Sequence, residues 1–153
     1  MLNKVSYVSI ISLIIAVAGY LTLNYDLPVG PIVFILGCIP VAALILVKRH
    51  VKAAIPDLIF GSIDTGLLTI FALLGGSFFG VAGAITGGVI GDALTDGIAG
   101  FFEGSISKLL REKGIDESRE PITTSLGKMA GCLFGSGFIL SIFLLFGVRP
   151  DFG

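Results

Sequence analysis

The sequence predicts an all-α integral membrane protein with five transmembrane helices, from its composition and from the lengths of its apolar segments. Of the 153 residues, 54% are hydrophobic and only 14% are charged, which is far from the composition of soluble domains. A spanning helix needs roughly 20 mostly apolar residues. We therefore predict a single membrane domain over residues 1–153. Its five helices cover about residues 5–23, 30–47, 57–79, 83–107 and 123–147.

The ends of the predicted helices coincide with polar or turn-forming segments. The first apolar segment is longer than the roughly 7 to 15 apolar residues of a signal peptide, so we expect it to be retained as a helix. Residues 24–30 separate it from the second helix, which a basic cluster at 48–52 follows. A glycine-rich turn around Gly80 joins the third helix to the fourth, because glycine permits tight turning. A charged segment at 108–120 joins the fourth to the fifth.

The distribution of positive charge predicts the orientation in the membrane. Lys4, the 48–52 cluster and the 108–120 segment fall on one side of a five-helix path, and Arg149 falls on the other. Cationic residues favour the cytoplasmic side. We therefore expect a cytoplasmic N-terminus, an external C-terminus and a multi-pass protein of the cell (plasma) membrane.

The charge and the cysteine content argue against two kinds of partner. The net charge of −1 provides no basic field, so we expect no nucleic acid partner. Cys38 and Cys132 stand alone in apolar stretches, so a thiolate metal site is not expected. We predict that both are small, buried apolar side chains.

Glycine recurs at four-residue spacing in the last two predicted helices. This spacing lets helix backbones approach closely in lipid. Tight packing within one chain and packing between subunits both fit the pattern. The glycines are Gly83, Gly87, Gly91, Gly100, Gly104, Gly127, Gly131 and Gly135.

Five carboxylates lie in the third and fourth predicted helices, where an ionised acid is costly and usually faces a cavity, a partner or an ion. In an antiparallel hairpin, two residues face each other at the same depth when they are equally far from the turn. Asp64 and Asp96 form one such pair around Gly80, and Asp57 and Glu103 form another. The hairpin therefore predicts two acidic levels about 10 Å apart at 1.5 Å per residue. Asp92 extends the deeper level by one turn.

Clustered carboxylates are typical ligands of hard or borderline divalent cations such as Mg²⁺, Mn²⁺ and Fe²⁺. We expect Asp64, Asp92 and Asp96 to bind the ion midway across the membrane, and Asp57 and Glu103 to form the cytoplasmic mouth. Repulsion between neighbouring carboxylates favours protonation of one of them, which provides a route to proton exchange. Neutral oxygens could come from Ser62, Thr65, Thr69 and Thr95.

Structural roles are also open for two of these acids. Asp57 follows Pro56 at a predicted helix start, where an acid near the positive end of the helix dipole is common. Glu103 could pair at the membrane surface with Lys108 or Arg111. Lys128, near the start of the fifth helix, could neutralise one acid.

Two stretches of this hairpin resemble the vacuolar iron transporter family. GLLTIFALLGG at 66–76 is similar to the first motif helix of that family, and GDALTDGIAGFFEG at 91–104 to the second. The resemblance covers residues 61–111. In that family the motif helices come first, whereas in this chain two helices precede them. It implies a homodimer whose motif helices line a proton-coupled path for iron or manganese. Asp64 corresponds approximately to the family's acid, and Asp96 stands where the family has methionine, which favours harder ions.

The leading hypothesis is a homodimeric divalent cation transporter of the lipid bilayer, coupled to protons, with Mn, Fe or Mg as its bound substrate. The alternative is a non-catalytic membrane scaffold or pore-forming oligomer whose acids pair with Lys128 or with another subunit. A metal-dependent membrane-embedded enzyme is a third reading. We expect no enzyme activity, because no nucleophile lies beside a base in the sequence.

Overall fold

A computed structural model of the chain describes residues 2–114 and 120–147, without the side chains of Leu2, Asn3, Ala99 and Glu103. The described residues are helical, with no strand, which confirms the all-α prediction. The helices are α1 (Leu2–Asn24), α2 (Val29–Leu36), α3 (Cys38–Leu46), α4 (Ile55–Glu112) and α5 (Pro121–Leu145), with a short 3₁₀ helix at Val51–Ala54.

Four helical segments of the described chain are long and apolar enough to cross a membrane, so the protein is a membrane protein. These segments are Lys4–Asn24, Val29–Leu46, Val51–Glu112 and Pro121–Leu145. The third segment contains both the third and the fourth predicted helices, because α4 continues through the turn at Gly80 that was expected to separate them.

Gly80 folds α4 back on itself. Its φ of 62° and ψ of −149° lie in a region that only glycine adopts readily. The first leg (residues 55–79) and the second leg (residues 81–112) then run antiparallel with their backbones in contact. A Cβ added at Gly75 would collide with the Gly83 carbonyl, and one added at Gly87 with the Phe71 carbonyl. The four-residue glycine spacing of Gly83, Gly87 and Gly91 therefore serves packing within one chain.

The predicted helix at 30–47 is broken into α2 and α3 at Gly37. Pro40 explains the break, since proline has no backbone N–H to donate and its ring clashes with the carbonyl four residues earlier, that of Leu36. Cys38 lies exposed beside this break and Cys132 is only partly buried. The prediction that both thiols are buried is therefore wrong for Cys38.

Helix α5 is the element on which the others pack. It runs parallel to the first leg of α4, because Gly131 contacts the Leu58 carbonyl and Gly135, one turn later, contacts the Ser62 carbonyl. It runs antiparallel to α2, where a Cβ added at Gly137 would collide with the backbone of Phe34. The glycines of α5 are therefore also used within the chain. By contrast, a Cβ at Gly100 or Gly104 would meet no atom within 4 Å.

An ion triad joins three helix ends. Glu120, just before α5, pairs with Lys4 of α1 and with Arg49, which follows α3. The hydrogen bond from Lys4 and the positive charges of Arg49 and Lys4 lower the pKa of Glu120, so its carboxylate is ionised at neutral pH. The triad thus brings the basic segments predicted to share one side of the membrane to one end of the molecule.

Candidate functional site

The two legs of α4 meet through a polar contact at the level of Asp64. The Thr95 hydroxyl donates a hydrogen bond of 2.6 Å to Asp64 Oδ1, and the Thr95 side chain is fully buried. The same hydroxyl oxygen lies 3.1 Å from the Asp92 carbonyl oxygen. Asp64 therefore lies opposite the residue next to Asp96, within one residue of the register that the sequence predicts.

Asp92 and Asp96 lie exposed on the flank of the second leg. Gly91 contacts the first leg at Leu68 and Phe71, and Thr95 contacts it at Asp64. Each exposed acid follows one of these contact residues and is therefore turned roughly 100° away around the helix. One chain consequently does not gather these acids around Asp64, and no three Asp, Glu, His or Cys side chains among those described lie close enough together to hold a metal ion.

The surroundings of these exposed acids are apolar. Val89 and Leu94, on either side of Asp92 in the sequence, expose 67% and 52% of their surface. Such side chains are suited to lipid, whereas a carboxylate at the same depth is costly unless a partner or an ion covers it. The second leg therefore presents two acids, one helical turn apart, on a surface otherwise fit for hydrocarbon.

Asp57 is buried in the first turn of α4, directly after Pro56. A Cβ added at Gly127 would lie 2.9 Å from the Asp57 Cβ, so Asp57 packs against α5. This position beside the positive end of the helix dipole fits the structural role considered for Asp57. The side chain of Glu103, its predicted partner, lies outside the described residues.

Helix α5 contributes Lys128, which the sequence offered as a possible partner of the acids, and Cys132, which the sequence did not connect with them. Lys128 Nζ lies 4.0 Å from the centroid of the Phe60 ring, a cation–π contact that is favourable away from water. The Cys132 thiol lies beside Thr65 and near Asp64. The contact between Phe60 and Lys128 could not be predicted from spacing in the sequence, because the two residues belong to different helices.

Two of the hydroxyls predicted as extra ligands are engaged with the backbone. Ser62 Oγ donates to the Leu58 carbonyl at 2.8 Å, and Thr69 Oγ donates to the Thr65 carbonyl at 2.6 Å. Bonds of this kind, four residues back, satisfy a hydroxyl within a membrane helix. Thr95 is the hydroxyl that reaches an acid instead.

Replacing Thr95 with Val is expected to destabilise the hairpin by about 1.5 to 3 kcal/mol, the usual value of a hydrogen bond to a charged group. Valine keeps the shape and removes the donor to Asp64. The thermal midpoint of the detergent-solubilised protein, followed by circular dichroism, measures the effect. Thr86→Val is the matched control, since Thr86 is exposed on the same leg. Equal midpoints for the two variants would show that the Asp64 contact contributes nothing.

Comparisons of the chain with protein-family models, with curated proteins and with solved structures find no match.

Proposed function

We propose that the protein is a divalent cation transporter of the Fe/Mn/Mg class, driven by proton exchange, in which Asp92 and Asp96 bind the ion. The observation that carries the proposal is the exposure of these two carboxylates in a stretch of the second leg where the large apolar side chains of Val89, Ile90 and Leu94 are also exposed. Carboxylates inside a membrane usually mark an ion path.

The ligand chemistry favours hard or borderline cations. Asp92 and Asp96 are four residues apart, so their oxygens project from one flank of the helix. Divalent cations such as Mg²⁺ and Mn²⁺ prefer oxygen ligands. Carboxylates must lose their protons to bind a metal ion, so metal entry and proton release are linked. Asp64, which accepts the hydrogen bond from Thr95, places a third carboxyl group behind this flank.

A second copy of the chain completes the site. A site with two acids from one chain has too few ligands for a divalent cation, and a homodimer doubles the number. Gly97, Gly100 and Gly104 are positions on the second leg where a Cβ would meet no atom within 4 Å. Small residues of this kind permit close helix contact in lipid. In this arrangement each chain crosses the plasma membrane five times, with its N-terminus and the ion triad on the cytoplasmic side.

The resemblance of residues 61–111 to the vacuolar iron transporter family supports the same proposal. In that family the two corresponding helices line the path of the ion in a homodimer. The aspartate at 96, in place of methionine, favours Mn²⁺ or Mg²⁺ over softer ions.

Metal ions are expected to stabilise the purified protein. A ligand at a hundred times its dissociation constant stabilises a one-site protein by about 2.7 kcal/mol. The measurement is the thermal midpoint in detergent with increasing Mn²⁺, Fe²⁺ or Mg²⁺, for the wild type and for Asp92→Asn/Asp96→Asn. The wild-type midpoint should rise with concentration and the variant midpoint should not. A rise of equal size in both proteins would place the binding elsewhere and contradict the proposal.

The alternative is a membrane scaffold or a pore-forming oligomer. The separation of Asp64 from Asp92 and Asp96 within one chain favours it, because acids that do not converge can instead pair with groups of a neighbouring subunit. A scaffold would show no response of its midpoint to any of the three ions, and it would lose oligomeric mass in Asp92→Asn/Asp96→Asn because the pairing between subunits is removed.

A further inference from the structure

A cavity opens between α1 and α5 at the end of the molecule that carries the ion triad. Its volume is about 460 Å³, within the range of ligand sites in proteins. Helix α1 touches the rest of the bundle sparsely, and this cavity lies where it meets the start of α5. The wall combines four apolar residues, Val5, Val8, Pro121 and Ile122, with three polar ones, Lys4, Ser9 and Ser125.

Lys4 is the charged residue of the cavity wall, and it connects the cavity to the ion triad. Glu120 is a single carboxylate that faces two cations, Lys4 and Arg49, so the triad keeps one net positive charge. The side chains of Lys4 and Arg49 remain 49% and 36% exposed. An ammonium has three N–H donors and a guanidinium has five, so both cations retain donors beyond those that bond Glu120.

We propose that this cavity binds one anionic phospholipid. The phosphate is held by Lys4, which lines the cavity, and by Arg49, which adjoins it through Glu120. The upper part of an acyl chain lies against Val5, Val8 and Ile122. The apolar wall continues into α1 and α5, two helices long and apolar enough to cross a membrane, so an acyl chain leaves the cavity directly into the bilayer. The bound lipid thereby joins α1 to the bundle. This inference does not depend on cation transport.

Charge complementarity selects a lipid of this class. A zwitterionic headgroup carries its own cation and gains less from the net positive charge of the triad. Anionic lipids are enriched in the cytoplasmic leaflet, and a basic residue near that surface adds to their binding. A free phosphate ion would satisfy the cations but leave the apolar wall uncovered.

The test compares lipid binding to the full-length protein after delipidation in detergent. Native mass spectrometry, with dioleoyl phosphatidylglycerol or dioleoyl phosphatidylcholine added, gives the dissociation constant of each lipid. The wild type should bind phosphatidylglycerol more tightly. Lys4→Gln and Arg49→Gln should each weaken phosphatidylglycerol binding about fivefold and leave phosphatidylcholine binding unchanged. Lys113→Gln, which removes an exposed cation at the end of α4, should change neither.

Glu120→Gln separates lipid contact from the structural effect of breaking the triad. It breaks the same ion pairs but leaves both cations, so phosphatidylglycerol binding should be kept or strengthened. Weakening as large as in Lys4→Gln would overturn the proposal, because the triad would then act only by holding the helices. Equal affinity for the two lipids in the wild type would also overturn it. Displacement of phosphatidylglycerol by an equal concentration of inorganic phosphate would also overturn the proposal, because it would show that the acyl chain contributes nothing to binding.

Discussion

Asp96→Asn is expected to abolish divalent cation uptake into proteoliposomes while leaving the helical content and oligomeric mass unchanged. Asparagine has the size of aspartate but no charge, and Asp96 is exposed, so its replacement creates neither a cavity nor a clash. Loss of even an indirect partner of a metal ligand costs about 10- to 100-fold in affinity or activity. Loss of a ligand carboxylate should therefore reduce the initial rate of Mn²⁺ uptake by at least this factor.

Asp26→Asn is the matched control for this variant. Asp26 lies in the turn between α1 and α2 with φ of 49°, a conformation that asparagine tolerates as well as aspartate does. Its uptake should equal that of the wild type. Wild-type uptake by Asp96→Asn, with intact folding, would remove Asp96 from the ion path. Asp92→Asn should behave like Asp96→Asn, since the two acids share one flank of the second leg.

Gly131→Val is expected to lower the thermal midpoint by roughly 2 to 12 °C, from an overpacking cost of about 1 to 3 kcal/mol. Any Cβ at Gly131 collides with the carbonyl oxygen of Leu58 and lies 3.0 Å from the nitrogen of Ser62. These are backbone atoms of the first leg, so no side-chain rotation relieves the clash. The whole contact between α5 and the first leg must widen.

Two glycines outside this contact provide the comparison. Gly19→Val changes a residue of α1 whose Cβ would meet nothing within 4 Å, so its midpoint should stay close to the wild type. Gly100→Val has equally open surroundings in its own chain. We expect it to keep the fold of one chain and to halve the mass of the protein in detergent, because the second copy packs there. An equal fall in midpoint for Gly19→Val and Gly131→Val would show that β-branching in a helix, and not the clash, is responsible.

The level of Asp64 along the hairpin could be predicted from the sequence because both legs of a helical hairpin rise by the same distance per residue. Once a turn at Gly80 is assumed, equal rise per residue on both legs places Asp64 opposite residues 95 and 96, and the hydrogen bond from Thr95 confirms that level. The direction in which each side chain points around the helix axis could not be predicted in the same way. A one-residue difference leaves the depth almost unchanged but turns a side chain by roughly 100°, which is why Thr95 faces Asp64 and Asp96 does not.

The glycine pattern illustrates the same limit. Four-residue spacing indicates close helix contact but does not identify the partner, because a stripe of small residues has no chemistry of its own. In the structure, Gly131 and Gly135 meet the first leg, and Gly83 and Gly87 meet it from the other side. A Cβ at Gly100 or Gly104 would meet no atom of the described residues within 4 Å, although their spacing is identical.

The sequence by itself determined the helical membrane class, the approximate helix ends, the turn at Gly80 and the grouping of basic residues at one end. These properties follow from composition and from local backbone chemistry, which each segment carries alone. Only the tertiary structure decided that Asp57 packs against α5, that Asp92 and Asp96 stay exposed, and that Glu120 joins Lys4 to Arg49. Such outcomes depend on how helices are rotated and paired, and apolar sequences constrain rotation weakly because lipid accepts almost any apolar face.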